Sequence, residues 1–514
     1  MHFLFKQELQ SKSRFLFFLF SLLLFILPII LSNTLYFDDN SRVLTGKAYW
    51  DVDGRPLTDI IFYLLNSNVG TVSNIQPLPL LTGVCVLAIS LWYSTENVSY
   101  KKTPLNLFPF LLLVCNPFFL QNLSYQFDSV GMCLAMSCGL LAFFYKPDNS
   151  KKYTYLYPVF FLCLSNCFYQ PVSNVFLTLY FTNILIRFTD FSSVVKETFY
   201  NAGIYISGMA LYSLLAFTIF PVTPGRSNFI HISQLKASFE VSLSKLVEIL
   251  YSFTQDYFLI IGVLAIVLII INYIVAMIVN VKRESQHLHK AIAGLITFIT
   301  PFGLILSLWG PFLLIDELFF NPREFPSLGV FLMLACFSLK RIDERGYIFS
   351  LFTAFFIVYV FSFSFIYGNA FKNQRDYENR IYTDITNHIN SDPKLAETSK
   401  IEIYGETGLA PKAINSYNTH PYLYILAQPS YRWVQRYIIK AQGLENVSTN
   451  VAFDDSKEWK RICSQHLTPS VWNKHYEIYL FDSHASVWIK KTKQQSVCNE
   501  KPEKYYNQFS KELN

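Results

Sequence analysis

The sequence predicts a polytopic α-helical membrane protein with about eleven transmembrane helices, a cytoplasmic N-terminus and a C-terminal extracytoplasmic α/β domain. Three observations carry that prediction: the composition, a series of apolar stretches of spanning length, and a single polar tail. Of the 514 residues, 52% are hydrophobic, 17% aromatic and 15% charged, whereas a soluble domain carries about 25% charge. Phe and Tyr supply 49 and 33 residues, and the mean hydropathy is +0.29. This composition excludes a disordered chain and argues against a cytosolic enzyme. The net charge of +6 calls for no nucleic acid partner, because the basic excess lies beside the apolar runs.

A bilayer core about 30 Å thick is crossed by about 20 apolar residues in a helix. Eleven stretches qualify: 15–35, 76–94, 105–121, 127–145, 154–171, 172–189, 199–220, 257–280, 291–315, 325–339 and 347–367. Lys6, Lys12 and Arg14 precede the first as they would a secretory signal, but no small-residue cleavage site follows, so it reads as an uncleaved span. Stretch 105–121 contains Pro109 and Pro117, and 325–339 is short; these two fit the pattern least well.

Basic residues in the short connections set the orientation. One set of loops carries Lys101 and Lys102; Lys146, Lys151 and Lys152; Arg187 and Lys196; Lys282, Arg283 and Lys290; and Lys340, Arg341 and Arg345. The alternate loops at 66–75, 121–127 and 170–173 hold no Lys or Arg. The N-terminus is then cytoplasmic, and eleven spans put the tail on the other side. The chain divides into a transmembrane part, 1–369, with outer loops 36–75 and 221–256, and a polar domain, 370–514.

The tail reads as α/β. Ile401–Tyr404 has the character of a strand, and 476–480 turns through Asp482-Ser483-His484 into 485–489 as a hairpin. An oxidising compartment permits a Cys463–Cys498 disulfide, with two unpaired thiols as the alternative. The other cysteines lie in apolar runs without metal-ligand spacing and read as packing residues. In the first outer loop, Pro56 precedes Leu57, Ile60, Ile61 and Leu64, which predicts a helix along the membrane surface. A second amphipathic stretch runs from Ile232 to Leu250.

The ionisable residues gather on the outer side. Asp38, Asp39 and Arg42 follow the first span; Arg55 and Asp59 lie in the same loop; Asp128 opens the fourth span after Tyr125; Tyr169 and Gln170 close the fifth. Asp316, Glu317, Arg323 and Glu324 fill the loop between spans nine and ten. Charges near a membrane are costly and suggest function. A carboxylate can act as general base for a hydroxyl, and guanidiniums can hold a phosphate and stabilise it as a leaving group. The set suits transfer of a group from a lipid phosphate to an alcohol. Each residue also has a structural explanation: Asp38 and Asp39 as helix caps or partners of Arg42, Asp128 as an N-cap, Arg323 as a partner of Glu324, Tyr169 and Gln170 as interior lining.

The stretch Phe37-Asp-Asp-Asn-Ser-Arg42, followed by Trp50 and Gly54-Arg-Pro-Leu57, resembles the opening of the serotype-converting O-antigen glucosyltransferases, the type II glucosyltransferase family. Asn116-Pro-Phe-Phe-Leu120, Tyr125-Gln-Phe-Asp128 and Tyr169-Gln-Pro171 extend the resemblance over roughly the first 190 residues. The resemblance implies a GT-C type membrane glycosyltransferase in a bacterial inner membrane with a periplasmic active site. It implies glucose carried on undecaprenyl phosphate as donor, a lipid-linked O-antigen repeat as acceptor, and separate donor-synthesising and flippase proteins as partners. GT-C enzymes place an acidic residue in the first outer loop, a position that Asp38 or Asp39 matches. The expected mechanism is an inverting displacement. Asp38 or Asp39 is the base; Arg42, Arg55 or Arg323 neutralises the lipid phosphate; Asp128, Tyr125, Tyr169 and Gln170 bind sugar. Metal assistance stays open, since adjacent carboxylates can also hold a divalent ion. A flippase or transporter would favour ionisable residues at midplane and repeated halves, and neither is visible. An O-antigen polymerase would carry its large loop between late spans, whereas the longest polar segment here is the tail.

Overall fold

The computed structural model describes residues 7–96, 101–146, 152–186, 191–219, 230–253, 257–283, 286–315, 321–342, 347–449, 455–491 and 497–499. The helices, in chain order, begin with α1 (Ser11–Ser32), α2 (Asp39–Thr45), α3 (Pro56–Asn66), α4 (Leu78–Glu96), α5 (Pro104–Leu111), α6 (Pro117–Ser124) and α7 (Ser129–Phe144). They continue with α8 (Leu156–Phe168), α9 (Ser173–Ile186), α10 (Phe191–Thr218), α11 (Leu235–Phe253), α12 (Tyr257–Arg283), α13 (His287–Leu306), α14 (Leu328–Ile342) and the long α15 (Tyr347–Ser391). Short helices and a small sheet follow. Among the described residues, five helical segments are long and apolar enough to cross a membrane: Ser11–Ser32, Leu78–Glu96, Gly262–Lys282, His287–Leu306 and Ile348–Ser391. The 16-residue α7 is apolar but shorter.

The stretch 105–121, expected as one span, is two helices. Pro104 and Pro117 each occupy a first helical turn, where the missing N–H costs nothing. Asn116 caps the second by accepting from Phe119 N at 2.9 Å and returns its amide to Leu112 O at 2.9 Å. The break is buried throughout. The stretch 291–315 likewise ends as helix at Leu306 and continues as a short 3-10 turn, Gly310–Leu314.

The chain separates into two compact units. The first comprises Met1–Leu31 and Lys47–Phe365, the second Ser32–Gly46 and Ile366–Asn514. The segment 32–46, expected within the transmembrane part, packs instead in the second unit. In the first unit α7 lies against α4 and α8. A Cβ on Gly83 would sit 2.7 Å from that of Cys133, so α4 and α7 approach as closely as they do only because Gly83 lacks one. Helix α3, expected along the surface, is fixed to the bundle. A Cβ on Gly131 would come within 2.5 Å of Thr58 Oγ1, and that hydroxyl donates to Phe168 O at 2.9 Å.

In the second unit the strands are β1 (Lys400–Gly405), β2 (Val471–Trp472), β3 (Tyr476–Leu480) and β4 (His484–Ile489), ordered β1-β4-β3-β2. The hairpin β3–β4 is antiparallel with Ile478 opposite Val487, and β1 runs parallel to β4 with Ile403 opposite Val487. The inward residues of these strands and of the end of α15 (Ile381, Tyr382, Ile385, Ile389) form one buried cluster. Glu378 on α15 is fully enclosed. Its carboxylate accepts from Gln374 Nε2 (2.8 Å), Thr407 Oγ1 (3.2 Å), Ser430 N (2.9 Å), Ser430 Oγ (2.6 Å) and Arg375 (2.5 Å). Such a complete donor set is what allows a carboxylate to be buried. Cys463 and Cys498 are joined as a disulfide.

Candidate active site

The candidate residues divide between the two units. In the second, Asp38 and Asp39 begin α2. Asp39 is 0% exposed and accepts from Tyr36 N at 3.0 Å, so that carboxylate holds the turn that starts the helix. Asp38 occupies the N-cap position without a side-chain capping bond and is half-buried. Arg42 lies on the same helix, half-buried, and its carbonyl accepts from Gly46 N at 2.8 Å. Gly46 ends α2 at φ +67°, a left-handed conformation that suits glycine. The segment is anchored by Tyr36, whose hydroxyl donates to Leu426 O at 2.8 Å, and by Phe37 stacked on Tyr431 at 5.4 Å.

In the first unit, four separate stretches bring Arg55, Tyr125, Asp128, Tyr169, Gln170 and Arg323 together. Asp128 stands at the N-cap of α7, but its side chain makes no capping bond. Instead it accepts from Trp50 Nε1 at 2.8 Å and lies 3.9 Å from the Arg55 guanidinium. Arg55 lies over the ring of Tyr169, 4.6 Å from its centroid, and donates from Nε to Gln170 Oε1 at 3.3 Å. Gln170 directs its amide to Asp53 O, Gly54 O and the Tyr212 hydroxyl at 3.0, 3.1 and 2.8 Å. A glutamine so fixed presents its oxygen to Arg55.

Arg323 forms the second half. Its guanidinium lies over the ring of Tyr125, 4.9 Å from the centroid, and Nε is 3.3 Å from Glu324 Oε1. Its backbone is held on both sides: N donates to Gln121 Oε1 at 2.9 Å, and O accepts from Asn122 Nδ2 at 3.3 Å and Tyr169 OH at 3.1 Å. Tyr169 therefore joins the two halves, with its face under Arg55 and its hydroxyl on the Arg323 turn. The charges of Glu324, Arg323, Arg55 and Asp128 all act on that hydroxyl. Two guanidiniums, each held over a tyrosine ring, suit an anion with several oxygens.

Sequence reasoning gave no role to Trp50, Gln121, Asn122 or Tyr212. Gln121 and Asn122 carry a signal, being polar side chains in an apolar run. Tyr212 carries none, since an aromatic residue within the long helix α10 is unremarkable. Asp59 is buried on α3; Asp316 and Glu317 lie outside the described residues. Among the described residues no group of three His, Cys, Asp or Glu is placed to hold a metal ion.

Residues 27–339, which include the whole arginine–tyrosine cluster, match the family described as glucosyl transferase GtrII. The chain belongs to that family. It is also similar to an uncharacterized 55.3 kDa protein in the gtrB 5' region of Salmonella phage P22, 28% identical over 234 residues. That match covers 44% of this chain and 44% of the relative, so the chain spans under half the length of the curated protein it matches. No solved structure matches. Membership implies a transferase, and the apolar helices suggest a membrane protein.

Proposed function

We propose that this transferase moves glucose from undecaprenyl phosphate-glucose to a sugar of the lipid-linked O-antigen repeat, at the periplasmic face of the inner membrane, and so changes serotype. The carrying observation is the paired arrangement of Arg55 on Tyr169 and Arg323 on Tyr125, tied through the Tyr169 hydroxyl. In this reading the two guanidiniums receive the phosphate, neutralise it as it leaves C1 of glucose, and remain with the lipid product. Asp128, Gln170 and Tyr169 bind the sugar. Asp38 removes the proton from the acceptor hydroxyl, and the reaction inverts the anomeric centre in one displacement. Asp38 is preferred to Asp39 because Asp39 is enclosed and bonded to backbone. Arg42, one turn along α2, is a further candidate for charge neutralisation. The disulfide supports an oxidising compartment for the second unit.

The test is to express the chain in a strain supplied with undecaprenyl phosphate-glucose and to analyse the lipopolysaccharide for a new branch glucose. Asp38→Asn and the pair Arg55→Gln, Arg323→Gln should each abolish the branch while the protein still accumulates in the membrane. Full branching in the Asp38→Asn strain removes the base assignment. A reporter fused after Asn514 should be active in the periplasm; cytoplasmic activity refutes the topology.

A further inference from the structure

The turn Pro322–Glu324 is fixed through its backbone and paired through its side chain. Three side chains from elsewhere in the unit (Gln121, Asn122 and Tyr169) hold Arg323 N and O, so the turn cannot shift without breaking all three bonds. The Arg323 guanidinium rests on Tyr125, and Glu324 meets its Nε at 3.3 Å. Neither partner is sealed: the Arg323 and Glu324 side chains are 18% and 20% exposed. A partly solvated pair of adjacent residues contributes little to stability. The contrast with Glu378, enclosed by five donors, is plain.

We infer that Glu324 is a resident counter-ion of Arg323 that the donor's phosphate displaces, so that this carboxylate sets how tightly the donor binds. The inference rests on the reading of Arg323 as a phosphate ligand. Like charges cannot share one guanidinium edge at contact distance, so the phosphate enters as Glu324 leaves. The pinned backbone confines the change to the Glu324 side chain, which has solvent to move into. Glu324 is then a specificity-determining residue: it excludes anions that engage Arg323 alone and admits a ligand that also engages Arg55.

The experiment measures equilibrium binding of radiolabelled undecaprenyl phosphate-glucose to the full chain in detergent. Four proteins are compared: wild type, Glu324→Gln, Arg323→Gln and the double variant. Removing a competing pair worth about 0.5–1 kcal/mol should tighten donor binding about two- to fivefold in Glu324→Gln. Arg323→Gln should weaken binding, and adding Glu324→Gln to it should change nothing further. Arg323→Lys, which keeps the charge but loses the fork, checks that weakening does not come from misfolding. Donor binding that is unchanged or weaker in Glu324→Gln overturns the inference, as does equal tightening in the Arg323→Gln background. A wild-type protein that binds no donor overturns the donor assignment and this inference together, an outcome distinct from the other two.

Discussion

The Tyr169 side chain does two separable things, and substitution can divide them. Tyr169→Phe keeps the ring under Arg55 and deletes only the hydroxyl, which donates to Arg323 O at 3.1 Å. That carbonyl retains a second donor, Asn122 Nδ2 at 3.3 Å, so no acceptor is orphaned. The loss is that of one ordinary hydrogen bond, about 0.5–1.5 kcal/mol, or a fall in kcat/KM of about 2- to 12-fold. Tyr169→Leu removes the aromatic face as well. A guanidinium 4.6 Å from a ring centroid in a partly desolvated site gains about 0.5–2 kcal/mol from it, so Leu should cost a further 2- to 30-fold. The assay is glucose transfer from undecaprenyl phosphate-glucose in membranes, with detergent-extracted protein checked for monodispersity. Equal losses in the two variants would refute the stacking role. Full activity in both would show that the two arginines do not act together in catalysis.

In the second unit, Asp39→Ala should lower stability by about 1–3 kcal/mol, because the buried Tyr36 N–H loses its acceptor; thermal unfolding reads this, and an unchanged midpoint contradicts the pinning role. Cys463→Ser should cost about 3–4 kcal/mol from the chain entropy of a loop with sequence separation 35, seen as a lower midpoint that reductant no longer alters. The Glu402 carboxyl lies below its ordinary range: burial alone would raise it, but Lys400 and the Tyr404 hydroxyl hold the ionised form more strongly. Its stabilising contribution is therefore complete above the unfolded-state carboxyl value and is lost as pH falls through the lower folded-state value. Glu402→Gln should flatten that acid limb in a pH series of unfolding midpoints, while the neutral-pH midpoint drops.

The helices were legible because the physics that makes them is local. Runs of apolar residues broken by Lys and Arg gave α1, α4 and α12 to within a few residues of their observed bounds. Pro56 and the three–four spacing after it gave α3, and alternation gave the β3–β4 hairpin. Legibility failed where long-range contacts decide. Nothing in the segment 32–46 says that Tyr36 and Phe37 are bound by Leu426 and Tyr431, some 390 residues on. Two prolines in 105–121 hinted at a break, but only burial by neighbours makes a broken helix tolerable there. At the candidate site, residue types singled out Arg55, Asp128, Tyr169, Gln170 and Arg323, which the structure brings together. They could not show that Asp128 binds Trp50 rather than capping α7, since a capping aspartate and a hydrogen-bonded one look alike in sequence.

Buried charge alone does not mark an active site, and each unit illustrates a different use of it. Glu378 and the pair Lys490–Glu477 are enclosed. Lys490 Nζ meets Glu477 Oε1 at 3.1 Å, and the other oxygen accepts from Tyr479 OH at 2.5 Å and Val497 N at 3.3 Å. Their lone pairs are committed to protein donors, so they fix loops and strands in place. Arg55 and Arg323 are arranged otherwise. Their ion pairs are long, 3.9 and 3.3 Å, their side chains are 15% and 18% exposed, and their faces rest on tyrosines. Stacking orients a guanidinium without consuming its N–H groups. A charge held over a ring and still partly exposed is suited to a ligand that brings oxygens of its own. That distinction, rather than the number of charges, is the reason to look for the sugar phosphate beside Tyr169.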